Sequence, residues 1–167
     1  IIELKLTEAN KRFSMMPSFT PVLGAGILSA LQHFVTETKL HPVLVNFTAA
    51  LVPVSVASDF AGRLARNASL RHTGWWTLFF AVVITPLTAI TGWLFWMPDD
   101  NGVTGMTIHK WLGTGIAVLL FGLFAWRWHF QKKQQWPSWA YLILGAIFIA
   151  ALAYQGHLGG EQVFGDM

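Results

Sequence analysis

Four long stretches of the sequence carry no formal charge, and they constrain the fold more than any other feature. They lie between Lys39 and Asp59, between Arg71 and Asp99, between Lys110 and Arg127, and between Lys133 and Glu161. The nine tryptophans lie near the ends of these stretches and not in their middle. Indole is an apolar ring system with one N–H donor, so tryptophan collects where lipid headgroups meet hydrocarbon. The pattern therefore predicts an integral membrane protein.

The length of the stretches predicts helices that span the bilayer. A helix needs about 20 apolar residues to cross the hydrocarbon, and we expect spans at 42–62, 74–97, 107–130 and 138–157. Only 11% of the residues are charged, against about 25% in soluble domains. Backbone groups in lipid must pair internally, and these stretches are too long for barrel strands. The expected fold class is all-α, an integral membrane four-helix bundle.

We expect residues 1–40 to form an N-terminal extension and residues 41–167 to form the four-transmembrane-helix domain. Within 21–36, apolar residues recur on one helical face, and glycine and polar residues occupy the other. Such periodicity in a segment too short to cross easily predicts an interfacial amphipathic helix on the outer face. The alternative is a fifth, short spanning helix.

Lysine and arginine predict the orientation in the membrane. Positive loops remain cytoplasmic, and the positive residues are concentrated in the 62–74 and 128–138 loops. These residues are Arg63, Arg66, Arg71, Arg127, Lys132 and Lys133. The 98–106 loop and the C-terminus should then face the periplasm, with the protein a multi-pass component of a bacterial cytoplasmic (inner) membrane. The pI near 9.5 reflects this bias, and we expect no nucleic-acid partner.

The absence of cysteine excludes several kinds of site. A chain with no cysteine has no thioether-linked haem, no cysteine-ligated iron–sulfur cluster, no disulfide and no catalytic thiol. We also find no phosphate-binding glycine loop, no serine–histidine–aspartate set and no internal repeat. Histidine is left as the residue type that could carry chemistry.

Three histidines should lie at similar depth near the outer face, on three different spans: His41, His109 and His157. Imidazoles from facing helices are typical of a haem or metal site in a bundle. We predict one b-type haem with His41 and His109 as axial metal ligands, and His157 nearby for a quinone hydrogen bond or a haem propionate. Small residues at Gly92 and Gly113 would let the macrocycle lie against the backbone.

Two further sets of polar residues lie near the inner face. His72 and His129 are neighbours of Arg71 and Arg127 and should lie among headgroups, so we do not expect a second haem there. We expect Asp59 to pair with Arg63, four residues later; the alternative is that a carboxylate at this depth serves a proton path. The alternative to cofactor binding is that His41, His109 and His157 are ordinary interfacial side chains, and that the glycines serve helix packing.

The motifs resemble those of an uncharacterised bacterial four-helix membrane domain. His41-Pro42 resembles its opening motif, Thr91-Gly92-Trp93 resembles the end of its second helix, and His109 matches the start of its third. Leu158-Gly159-Gly160 is similar to its closing segment. Members are found fused to Rieske, cytochrome c or quinoprotein dehydrogenase modules, so the resemblance, over roughly 41–165, implies electron transfer at the outer face.

The chain departs from the family motifs at two positions. Asn46 stands where many relatives carry a second histidine, and Val163-Phe164-Gly165 lacks the usual following histidine. If the family ligands are those histidines, part of the site is missing. If the ligands are His41 and His109, the site is complete.

Three functions are consistent with these residues. The first is a membrane b-type cytochrome, or cytochrome subunit, that transfers electrons between the quinone pool and a periplasmic redox partner; it would be an electron-transfer subunit of a larger complex and not a stand-alone enzyme. The second is a cofactor-free membrane anchor subunit of a larger redox complex. The third is a copper or other metal site built from the outer histidines with Met97 or Met106.

Overall fold

The structure is a computed structural model, and it describes residues 19–95 and 104–164. These residues form five helices: α1 (Phe19–Glu37), α2 (Leu40–Ala65), α3 (Ala68–Leu94), α4 (Thr104–Lys132) and α5 (Trp139–Phe164). No strand occurs in the described part of the chain. The all-α fold expected from the sequence is confirmed.

Helices α2 to α5 are long and apolar enough to cross a membrane. Each coincides with one predicted span, but all four are longer than predicted, and α5 runs to Phe164 and not to 157. Helical hydrogen bonding continues beyond the predicted limits, because charged and small side chains near a span end can still lie in a helix.

Very short connections determine how the spans are arranged. Arg66 ends α2 in the left-handed region at φ 52°, and the side chain of Asn67 accepts hydrogen bonds from the first backbone N–H groups of α3. A reversal this tight makes α2 and α3 antiparallel neighbours. Their contact is reinforced by hydroxyl groups: Thr48 lies 3.2 Å from the Thr85 hydroxyl and 3.3 Å from that of Thr88.

The four spans form a closed ring in the order α2–α3–α4–α5, with α5 packing back on α2. Within the described residues, α2 and α4 have no direct backbone contact, so they lie diagonally across the bundle. The apolar core fills the space between them, with Val52, Leu78, Leu120 and Phe148 among its buried members. Polar side chains that join α2 to α4 must therefore cross the centre of the bundle, and the described residues include one such contact at each end, His41 with His109 and Asp59 with Arg127.

Helix α1 packs against α2 and α3. It is not among the four candidate spans. Val35 is buried, while Ile27, Leu31 and Phe34 remain exposed. Apolar side chains that the bundle does not cover are consistent with contact to lipid.

Candidate functional site

At one end of the bundle, His41 in the first turn of α2 is held by α3. Its Nδ1 lies 3.1 Å from the backbone oxygen of Thr88 and 3.4 Å from the Thr91 hydroxyl. Gly92 permits this approach, because a Cβ atom there would lie 2.9 Å from Cε1 of the imidazole. The ring therefore lies against the backbone of α3.

His109, in α4, is held by α5 in the same way. Its Nδ1 lies 3.1 Å from the backbone oxygen of Gln155, and a Cβ atom at Gly159 would lie 2.8 Å from its Cε1. In both cases the accepting carbonyl precedes the glycine by four residues, which is one helical turn. The two histidines thus occupy equivalent positions in two equivalent helix pairs, a correspondence that sequence analysis did not detect.

These contacts determine which ring nitrogen can bind a metal. A carbonyl oxygen only accepts hydrogen bonds, so each Nδ1 carries the proton and each Nε2 is left with its lone pair. Histidines that ligate metals are oriented in this way, with Nδ1–H donated to a carbonyl. The two rings, from the diagonal helices, have centroids 6.4 Å apart and planes at 88°.

A small cleft is lined by residues of all four spans and includes both imidazoles. Its wall also contains Gly92, Gly113, Trp93, Thr114 and Gln155. The donor set fits a bis-imidazole haem or a small metal ion. The cavity volume is about 20 Å³, room for about one water molecule, so a porphyrin enters only if side chains lining the cleft move.

Gln155 is a site residue that the sequence analysis missed. Its Nε2 lies 3.0 Å from the backbone oxygen of His109 and 3.3 Å from the Nε2 of the same residue. A Cβ atom at Gly113 would lie 2.8 Å from that amide nitrogen. Gly113, predicted to lie against a macrocycle, therefore faces the Gln155 amide in this structure.

The other predicted histidines are not among the residues that line the cleft with His41 and His109. His157 is exposed, and its Nε2 lies 3.2 Å from a carboxylate oxygen of Glu161. His72 and His129 are exposed near the other end of the bundle. Met97 lies outside the described residues. Within the described ranges, no three histidine, cysteine, aspartate or glutamate side chains form a group that could hold a metal ion.

The glycine contacts make a prediction about packing. Gly159→Ala should push the His109 ring off the backbone of α5 and destabilise the protein by about 1–3 kcal/mol, the usual cost of overpacking. Gly160→Ala is the matched control, because nothing lies within 4 Å of a Cβ atom there, and alanine favours a helix over glycine by about 1 kcal/mol. Thermal unfolding in detergent compares the two. Equal stability of both variants would mean that the ring does not require the glycine.

The second contact across the bundle, at its other end, is a buried ion pair between α2 and α4. Arg127 Nε donates to Asp59 Oδ2 at 2.7 Å, and Nη2 donates to Oδ1 at 2.9 Å and to the backbone oxygen of Arg71 at 2.9 Å. Both side chains of the pair are fully buried. Gly74 faces the carboxylate so closely that no side chain would fit there.

This pair corrects two sequence predictions. Asp59 does not pair with Arg63, which instead donates to the backbone oxygen of Pro137 at 2.8 Å. Arg71 and Arg127 are not loop residues; both lie inside helices and are buried. Asp59 compensates the charge of Arg127, and the guanidinium of Arg71 donates to the backbone oxygen and the side-chain oxygen of Gln134.

The two contacts across the bundle, His41 with His109 and Asp59 with Arg127, share one spacing in the sequence. Asp59 follows His41 by 18 residues, and Arg127 follows His109 by the same number. Eighteen residues are five turns of α-helix, about 27 Å long, so each pair of residues lies on one face of its helix. That length is close to the thickness of the hydrocarbon, about 30 Å. The two polar contacts therefore lie at the two ends of one membrane-spanning bundle.

Residues 37–167 match the protein family described as "Predicted membrane protein (DUF2231)". The chain belongs to this family. The match includes all four candidate spans, both histidines of the cleft and the buried ion pair, so these features lie within the DUF2231 domain. No match was found among curated proteins or among solved structures.

Proposed function

We propose that this protein is a membrane b-type cytochrome, or a cytochrome subunit, that transfers electrons between the quinone pool and a periplasmic redox partner. His41 and His109 would hold one haem b as its two axial ligands. When bound, the haem supplies a one-electron Fe(III)/Fe(II) couple. The protein would be an electron-transfer subunit of a complex in a bacterial cytoplasmic membrane, with the cleft towards the periplasm.

The observation that carries the proposal is the paired orientation of the two imidazoles. Each ring donates its Nδ1–H to a backbone carbonyl of the neighbouring helix, so the carbonyls select the tautomer that can ligate through Nε2. Two imidazoles on opposite sides of one metal have ring centres about 6 Å apart, since each metal–nitrogen bond is about 2 Å and each ring centre lies about 1 Å beyond its nitrogen. The centroid separation of 6.4 Å agrees with this.

Two further features favour electron transfer near the membrane surface: the exposure of the two histidines and an aromatic surface beside the cleft. His41 and His109 lie only partly buried near the helix ends, so a redox partner at the membrane surface could approach the cofactor edge. The Trp93 ring lies against Trp111, with centroids 5.5 Å apart, beside the cleft. Such an aromatic surface at the interface suits the ring of a quinone or of a porphyrin. Fusion of the resembled family to redox modules agrees with this role.

The cofactor-free anchor subunit is the second candidate, and the position of Gln155 favours it. The Gln155 amide lies within hydrogen-bond distance of His109 Nε2, so the chain itself satisfies the nitrogen that a haem would need. In an anchor subunit, His41 and His109 would serve only to hold neighbouring helices together, as the buried Asp59–Arg127 pair does. A copper site is less well supported, since among the described residues no third histidine, cysteine, aspartate or glutamate joins the two imidazoles.

An absorption spectrum tests the proposal. Protein purified in mild detergent from cells supplied with haem precursor should show a Soret band, and α and β bands after reduction by dithionite. The pyridine haemochrome should give one haem per chain. Protein without haem under these conditions, and without Soret absorbance after titration with haemin, would support the anchor subunit instead.

A further inference from the structure

The two equivalent histidines differ in what surrounds Nε2. For His41, the residue that accepts the Nδ1 proton is Thr88, whose hydroxyl donates to the backbone of α3. For His109 the same role belongs to Gln155, whose longer side chain returns to the ring it orients. Among described residues, no hydrogen bond to His41 Nε2 is found, whereas the Gln155 amide covers His109 Nε2.

The orientation of the Gln155 amide follows from its partners. The backbone oxygen of His109 can only accept, so the NH₂ group must face it, at 3.0 Å, and it also faces His109 Nε2 at 3.3 Å. The amide oxygen Oε1 is then buried without a hydrogen-bond partner in the described part of the chain. A buried acceptor without a partner is unfavourable, so the side chain gains an interaction for Oε1 when it rotates away.

We propose that Gln155 is a positioning residue that covers His109 and sets the order in which the two histidines become available. His41 lines the cleft, and no side chain of the described residues donates a hydrogen bond to its Nε2. His109 presents its Nε2 only after the Gln155 side chain has rotated out, and the same rotation enlarges the cleft next to Gly113. This inference rests on the proposed function, because it takes the cleft as the haem site.

The first test needs no haem. Diethyl pyrocarbonate acylates unprotonated imidazole nitrogen, and mass spectrometry of the intact, detergent-solubilised protein after digestion gives separate rates for His41 and His109. We expect His109 to react about tenfold more slowly than His41 in the wild type, as one hydrogen bond of ordinary strength allows. Gln155→Met keeps the length of the side chain but cannot donate, and should raise the His109 rate to that of His41.

Tyr154→Ala is the matched control, because Tyr154 is the exposed neighbour on the same helix. It should leave both rates as in the wild type. A His109 rate in Gln155→Met equal to that of the wild type would overturn the covering role of Gln155. An equal rise in Tyr154→Ala would also overturn it, because the effect would then be general loosening of α5.

The second test uses haemin added to cofactor-free protein. Stopped-flow spectra should show a slow phase in which low-spin, two-histidine absorbance develops, and Gln155→Met should accelerate this phase about tenfold. If haemin binds but the slow phase is unchanged, the inference is wrong and the cytochrome proposal stands. If the acylation rates change as expected but haemin never binds, the cytochrome proposal is wrong and the role of Gln155 as a cover stands.

Discussion

Arg127→Met should destabilise the protein by about 3–5 kcal/mol, the typical cost of removing one member of a buried ion pair. The variant leaves the Asp59 carboxylate fully buried without Arg127, its charged hydrogen-bond partner among the described residues. It also removes the donor that pairs with the backbone oxygen of Arg71. Unfolding by sodium dodecyl sulfate titration, followed by tryptophan fluorescence, measures the loss.

The double variant Asp59→Leu/Arg127→Met separates the ion pair from the packing. Replacing both partners of a buried pair by apolar residues of similar size is often neutral or stabilising, so the double variant should recover most of the stability. Arg66→Met is the surface control, since Arg66 is exposed at the end of α2, and should change stability by less than about 0.5 kcal/mol. An Arg127→Met variant as stable as Arg66→Met would contradict the buried pair.

His41→Ala or His109→Ala should abolish haem retention, while His72→Ala and His129→Ala should retain it. Only the folded bundle brings the two cleft imidazoles together from diagonal helices, and with one of them removed the iron loses an axial ligand. Haem content by pyridine haemochrome, relative to protein, is the measurement. His157→Ala should retain haem, because His157 is exposed and lies outside the cleft, with its Nε2 3.2 Å from a carboxylate oxygen of Glu161.

Two controls keep this prediction specific. Each alanine variant also leaves a backbone carbonyl without its imidazole donor, at about 1–3 kcal/mol, so unfolding must show that the variant is still folded. Added imidazole should restore the low-spin spectrum of His41→Ala by filling the space left by the side chain. Loss of haem in His157→Ala together with retention in His109→Ala would show that the ligand assignment is wrong.

The interaction partners of the polar residues were the hardest part to predict from sequence. The Asp59–Arg63 prediction followed the rule that opposite charges four residues apart interact on a helix. It was wrong because Asp59 faces the interior of the bundle, where Arg127 reaches it from the diagonal helix. Gln155 was missed for a related reason: it is an ordinary polar residue near a helix end until α4 brings His109 against it.

The sequence by itself determined the number of spans, their approximate limits and the similar depth of His41 and His109 along the bundle axis. These properties depend on the length of the apolar runs and on the rise per residue of a helix, because a helix must match the thickness of the bilayer to cross it. Only the tertiary structure decided that α2 and α4 are diagonal, that His41 meets His109, and that Asp59 meets Arg127. Helix periodicity assigns each residue to a face and a depth, but the ring order of the helices, set by side-chain packing and short loops, decides which faces meet.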